Sequence, residues 1–299
     1  MAADKSKIQA AWRQHTRKWG ENRYVYAVVS RRSRGISIGI NLNPDKACNF
    51  DCIYCQVNRH TPPLARKVDL RILEQELNRL LELERSQELY TSAPFDLLAP
   101  DQRGIRDIAF SGDGEPTTFP RLKDAVGIAA EARRHFALDG VKLVLITDAA
   151  YLTKPAVRSA LELLHANNGE IWAKLDAGTE EYFQRVDRPN VPLQKVLNNI
   201  LEVALNHPLA IQTLWMRIQG KVPPRSEIEA YCRQLNHLLQ KGAQLKALQL
   251  YTIARDPAEA YVSSLMDAEL DDIAAAVRAS VDVPVETYYG LITGPSGDN

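Results

Sequence analysis

The sequence predicts an α/β fold of parallel strands linked by helices, on three observations. Strand-like and helix-like segments alternate along most of the 299 residues. One of them, residues 141–147 (VKLVLIT), is apolar throughout, as a strand buried on both faces would be. The residues best suited to chemistry follow strand-like segments, at the carboxyl ends where such folds place their sites. Six core units run from Ile36–Ile40 to Leu245–Ile253. Periodicity leaves two architectures open, a doubly wound open sheet and an incomplete (β/α) barrel.

Taken in order, Ile36–Ile40 alternates as a short strand and ends in the turn Asn41-Leu42-Asn43-Pro44, after which comes a cysteine-rich loop. Residues 69–89 carry apolar groups at helical spacing, with Asp69 as the expected N-cap. A loop with Pro94, Pro100 and Gly104 leads to the strand Ile105–Ser111 and a turn over 112–118. Helices are then expected over 120–137, 154–166, 192–206, 226–241 and 267–280. Strands are expected over 141–147, 170–176, 209–218, 245–253 and 283–289. A polar tail closes the sequence.

No apolar stretch approaches the roughly 20 residues that span a bilayer. The N-terminus is polar, without the apolar core of a secretory signal, so a cytoplasmic protein without membrane association is expected. Four cysteines, three of them clustered, do not make a disulfide framework, and a reducing compartment fits them. Net charge is zero, but residues 1–34 hold nine Lys or Arg against two acids, a surplus of seven. Trp12, Trp19, Tyr24 and Tyr26 sit among those charges. This arm reads either as a nucleic-acid contact surface or as a solvated helix face plus an edge strand whose aromatics pack on the core. The second reading is preferred, since no RNA-binding motif accompanies the charges.

The chemistry concentrates in Cys48, Cys52 and Cys55, a C-x₃-C-x₂-C run with Tyr54 before the last thiol. Thiolates bind soft metal centres, and a short loop wraps three of them around one face of an iron–sulfur cube, leaving one iron open. The alternative is zinc, closed by His60 as a fourth ligand in a metal-binding interaction protein. Cys232 stands apart and is expected to be a buried apolar thiol. His60, His135, His165, His207 and His237 show no catalytic pairing.

A second motif is Ser111-Gly112-Asp113-Gly114-Glu115-Pro116-Thr117. Two glycines after a strand suggest a phosphate cradle, but Asp113 and Glu115 would repel phosphate, and no P-loop lysine follows. A glycine turn bearing acid suits an ammonium or sulfonium. Alone, it would be a tight strand-to-helix turn.

Together the cysteine run and the Gly114-Glu115-Pro116 turn resemble the radical S-adenosylmethionine (SAM) superfamily. Gly39-Ile40-Asn41-Leu42, Leu175-Asp176-Ala177-Gly178 with Arg188-Pro189, and the segment from Gln249 to Arg255 are similar to a bacterial and archaeal Fe–S oxidoreductase subgroup grouped with the tRNA-modifying wybutosine-precursor synthases. The resemblance implies a partial (β/α)6 TIM-type barrel over residues 35–290, with a basic N-terminal extension over 1–34 and a polar tail over 291–299. It implies that Cys48, Cys52 and Cys55 hold a 4Fe-4S cluster whose fourth iron is chelated by the amino and carboxylate groups of S-adenosyl-L-methionine. Gly112, Asp113, Gly114 and Glu115 stand where the family binds the methionine amino group, with Asp113 replacing the first glycine of the usual triplet. Tyr54 lies beside the cluster. Thr147 precedes Asp148 where relatives often show Thr-Asn-Gly. Lys174 and Asp176 are expected to face the SAM ribose and carboxylate, and Tyr251 to Ile253 to offer backbone groups to adenine. Arg217 and Gln219 close the fifth strand. The expected reaction is reductive cleavage of SAM to a 5′-deoxyadenosyl radical that takes hydrogen from an unidentified substrate, an RNA base or a small molecule. A low-potential electron donor is an implied partner. No residue stands out as a dedicated acid, base or radical donor.

Overall fold

The computed structural model describes residues 11–12, 19–59, 61–63, 65–255, 257 and 259–290. Eight strands form one sheet: β1 (Val25–Ser30), β2 (Gly35–Ile40), β3 (Ile105–Phe110), β4 (Lys142–Thr147), β5 (Gly169–Lys174), β6 (Leu209–Leu214), β8 (Leu245–Tyr251) and β10 (Val285–Tyr288). Their spatial order is their chain order, and every pairing after β1–β2 is parallel. The order never reverses, so there is no topological switch point and the doubly wound alternative is excluded. A sheet wound one way, with its helices on one face, curls into an open half-barrel. The strands of the six expected units are β2, β3, β4, β5, β6 and β8.

The two faces of the sheet pack differently. Its outer face meets α1 (Leu70–Arg85), α2 (Leu122–His135), α3 (Pro155–His165), α4 (Glu180–Asp187), α5 (Leu193–Ala204), α6 (Arg225–Gln240) and α7 (Asp267–Ser280) in one continuous apolar core. A separate inner cluster consists of Ala109, Val144, Trp172 and Ala210, with Ile146 and Ala247 against it. Three of these four inner residues are small or β-branched, so the concave face keeps space above them for a ligand.

β1 enters from the segment read as a basic arm. Its pairing with β2 puts Val25 opposite Ile40 and Ser30 opposite Gly35, so residue 34 lies in the turn of a hairpin. β1 is thus an edge strand of the sheet, with Tyr24 and Tyr26 buried. Glu76, on the buried stripe of α1, fixes this strand: its carboxylate accepts from the backbone N–H groups of Arg23, Tyr24 and Val25 at 2.8, 2.9 and 3.1 Å. Asp69 caps α1, accepting from Arg71 N at 2.9 Å. Gly39 makes room for Tyr26, because a Cβ there would lie 2.1 Å from the tyrosine ring.

Two differences from the sequence reading matter for the site. The strand expected over 209–218 breaks at Trp215, whose N–H donates to the Tyr251 carbonyl at 2.8 Å. Beyond the break, β7 (Met216–Ile218) pairs with β9 (Val262–Ser264) in a separate two-stranded sheet. Arg217 goes with it: Nε donates to Glu269 at 3.1 Å and Nη1 to the Gly220 carbonyl at 2.7 Å. Gln219 N–H donates to the Tyr261 carbonyl. Neither residue lines the barrel cavity. The second difference is α4, which was not read from the sequence. Thr179 caps it, and Glu227 holds its start by accepting from Gly178 N at 2.5 Å and Thr179 Oγ1 at 2.6 Å.

Candidate cofactor cavity at the carboxyl ends of the strands

A cavity of about 270 Å³ lies inside the half-barrel. Cys48, Cys52, Cys55, Tyr54, Gly112, Asp113, Gly114, Glu115, Thr147, Lys174, Asp176 and Ile253 all line it, so the expected site residues from five strand ends meet in one place. His60 lies outside the described residues.

The cysteine loop, 48–55, follows β2 and is docked by backbone hydrogen bonds and one isolated bridge against the end of α4. Phe50 bridges Pro189, while Asp51 N and Ile53 N donate to the carbonyls of Asp187 and Val186 at 3.1 and 2.9 Å. Phe50 also packs edge-on against Phe183 of α4, with ring centroids 5.5 Å apart. Arg188 takes a left-handed conformation that ends the helix, and its guanidinium reaches Asp51 at 3.3 Å and Glu259 at 2.7 Å. The Arg188-Pro189 pair is thus the seat of the cysteine loop.

The glycine turn closes on the same loop. A Cβ on Gly114 would lie 1.9 Å from the Ala47 carbonyl oxygen, and one on Gly112 would lie 2.4 Å from Asn41 Oδ1. Only glycine lets the two segments touch. Asn41 completes the junction: Nδ2 donates to Asp113 at 2.8 Å, and Oδ1 accepts from Asp113 N and Asn43 N.

Cys48, Cys52 and Cys55 are free thiols, each partly exposed. Burial pushes the Cys48 thiol up to about 11 and raises Cys52 well above the usual range, so thiolates there call for a bound cation. Arg59 adds a positive neighbour, with Nη2 3.7 Å from Cys55 Sγ. Among the described residues, no three His, Cys, Asp or Glu side chains converge as the ligands of a single ion. A cube needs no such convergence, because each thiolate binds its own iron. The donor set therefore fits an iron–sulfur cluster.

The acids divide into committed and open groups. Glu115 Oε1 accepts from Thr117 N at 2.9 Å and Thr147 Oγ1 at 2.7 Å, and Oε2 accepts from Asp148 N at 2.8 Å. The Glu115 carboxylate thus clamps the end of β4, and burial raises its pKa. Asp148 carries an open acceptor: Oδ1 takes the Ala150 N–H at 2.9 Å, while Oδ2, like Oδ2 of Asp187, is buried with no hydrogen bond. Asn49 is near enough to ease the charge but out of hydrogen-bonding geometry. Burial, then the charge of Glu115, pushes the Asp148 carboxyl well up. A cationic ligand group would relieve both acids.

Lys174 and Asp176 pair at 3.0 Å. Asp176 also accepts from Tyr54 OH at 2.5 Å and Leu214 N at 2.6 Å. Lys174 Nζ donates to Tyr251 OH at 2.7 Å, and burial is outweighed by the charge of Asp176, so it stays protonated. Asp187, unremarked in the sequence, lies 3.2 Å from Tyr54 OH, and its pKa is pushed well up by burial and then by Asp176. The signal for it was Thr179-Glu180-Glu181, a helix start that brings residue 187 to the cysteine loop. Cys232 is buried on α6, away from this cavity, as expected. His135, His165, His207 and His237 also lie outside it.

A one-way half-barrel with three thiols and an acid-bearing glycine turn at its strand ends defines a class. The model of the radical SAM superfamily matches residues 42–206, more than half of the chain, and the protein belongs to that family. Among curated relatives, a UPF0026 protein of Helicobacter pylori is 28% identical over 179 residues, which are 60% of this chain and 49% of that protein. A UPF0026 protein of Methanocaldococcus jannaschii is 27% identical over 60% of this chain and 47% of its own length. The chain thus spans about half the length of these relatives. Among solved structures, a spore photoproduct lyase with a dinucleoside spore photoproduct gives a TM-score of 0.56 at 12% identity, covering 88% of this chain and 79% of that one. SuiB of Streptococcus suis bound to S-adenosylmethionine gives 0.55 at 12%, over 86% and 52%. TYW1 with a lysine-pyruvate adduct gives 0.52 at 14%, over 91% and 80%. These structures share the partial-barrel fold. No helix among the described residues is long and apolar enough to cross a membrane.

Proposed function

We propose that the protein is a radical SAM enzyme in which Cys48, Cys52 and Cys55 hold a 4Fe-4S cluster and the cavity holds SAM against it. The observation that carries this reading is the contact of Gly114 with the Ala47 carbonyl, which sets three thiols beside an acid-lined glycine turn. Held there by Cys48, Cys52 and Cys55, the cluster together with SAM would supply reductive, one-electron cleavage of the sulfonium and hydrogen-atom abstraction from substrate. The Gly112–Glu115 turn and Asp148 bind the ammonium of SAM. Tyr54 packs beside the cluster and fixes Asp176. The Lys174–Asp176 pair presents a charged edge to the ribose. Ile253 walls the adenine side. Arg59, beside Cys55, raises the cluster's affinity for electrons from an external low-potential donor. A reducing, cytoplasmic setting suits these free thiols.

Anaerobic reconstitution tests the reading. Iron and sulfide in equal amounts, a visible sulfur-to-iron charge-transfer band, and 5′-deoxyadenosine formed with dithionite and SAM are expected. One stoichiometric zinc and no cleavage would instead make the cysteine loop a scaffold.

A further inference from the structure

Acids crowd the strand-end mouth of the cavity, with Arg59, Lys174 and Arg255 among them, whereas two further cations, Arg31 and Arg32, enter from the β1–β2 turn. That turn precedes β2 and the cysteine loop follows it, so one six-residue strand separates them, roughly 20 Å of chain. Arg32 lies 5.6 Å from the ring centroid of Trp172, on the inner face of the sheet, and 5.2 Å from that of Tyr251. Arg31 donates to the Tyr289 carbonyl, beside the last strand. Neither has a carboxylate in ion-pairing range among the described residues. Asp107 feels the charge of Arg32, but its oxygens accept from Ser33 and Ser37. Lys174, the nearest other cation on Tyr251, is already neutralised by Asp176. Two adjacent cations that are half-buried and make no direct ion pair, with Asp107 acting on Arg32 only at a distance, repel each other and are incompletely solvated. The pKa of Arg31 is accordingly pushed down to about 10 by burial and then by Arg32.

We propose that the substrate is a small organic acid or phosphate ester whose anionic group seats between Arg31 and Arg32, beside Trp172 and Tyr251. This rests on the cavity being the reaction chamber. The anion compensates the paired guanidinium groups, which offer forked donors to either oxyanion, while the aromatic faces of Trp172 and Tyr251 keep Arg32 extended into the barrel. The remaining part of the substrate then points toward the mouth, where the hydrogen atom is taken.

Calorimetric titration of the reconstituted, SAM-bound protein with inorganic phosphate and with acetate tests this. Saturable binding of at least one anion is expected, weakened at least about tenfold in R31Q/R32Q, a loss of 1.4 kcal/mol or more, with SAM affinity changed less than about twofold. Phosphate alone saturating assigns a phosphate ester, and acetate saturating assigns a carboxylate. Should the double variant fail to fold by circular dichroism, R32Q alone carries the same comparison. The proposal is overturned by no saturation by either anion, by equal binding in the variant, or by parallel loss of SAM, which would make the arginines cofactor ligands. Arginine-dependent binding of an RNA oligonucleotide without saturation by either small anion also overturns it. Repeating the anion titration on Cys48→Ser/Cys52→Ser/Cys55→Ser separates this proposal from the cluster chemistry. Retained binding supports the arginine site even if no cluster assembles, and lost binding places the anion at the metal and overturns it.

Discussion

The two ends of the cavity are built on different principles. At the mouth, two of the acids are fastened by others: Glu115 takes hydrogen bonds from Thr117, Thr147 and Asp148, and Asp176 from Tyr54 and Leu214, while Asp148 keeps one oxygen open. At the far end, Arg31 and Arg32 are held by a carbonyl and two aromatic faces, without a direct ion pair among the described residues. A site for a fixed cofactor gains from rigidity, since its groups must meet the same atoms each time. The open pair at the other end marks where a charge must be supplied from outside.

Removing thiols should give the largest effect and sharpen this contrast. Cys48→Ala, Cys52→Ala or Cys55→Ala is expected to abolish the charge-transfer band and 5′-deoxyadenosine formation, read by absorbance and chromatography, while thermal unfolding stays cooperative. A Gly114→Ala variant comes next. Its methyl group would strike the Ala47 carbonyl, so the turn and the cysteine loop must separate, at a cost of about 1–3 kcal/mol in denaturant unfolding. SAM affinity should fall with it. Unchanged affinity would show that the mouth is less rigid than the comparison requires.

The far end is probed through its support. Replacing Glu76 with Gln removes a buried carboxylate that accepts three backbone N–H groups, and about 2–3 kcal/mol should be lost. Hydrogen exchange should then rise in β1 before it rises in β4 or β5. The smallest effect belongs to Asp69, on the same helix. The Arg71 N–H holds its carboxyl below the usual range, so its contribution is present at neutral pH and is lost as pH falls through the depressed pKa. Asp69→Ala should therefore be less stable than the parent near neutrality, and the two should converge in acid melting curves.

Much of the mouth was legible because its chemistry is written in short spacings. Cysteines at 48, 52 and 55 and the turn at 112–115 need only local sequence to be seen, and the alternation of elements placed both at strand ends. What failed was long-range. Arg31 and Arg32 counted as part of an exposed basic arm, because nothing local says that the preceding residues pair with β2 and carry the turn inside. Glu76 read as an ordinary helix residue, since its three partners lie more than 50 positions away. Asp148 read only as a departure from a family pattern, and its open oxygen follows from Glu115 having claimed the neighbouring amide. The break at Trp215 depends on a hydrogen bond to β8 that no window over 209–218 contains.

Because β2 carries the arginine turn at one end and the thiol loop at the other, its length works as a yardstick between them. Two residues added to that hairpin in register would preserve the alternation of faces yet displace the anchor by roughly 7 Å from the metal-binding loop. The fold would survive such an edit more readily than the regiochemistry. Sequences that differ here by pairs of residues would then address different carbons of their ligands with the same reactive mouth.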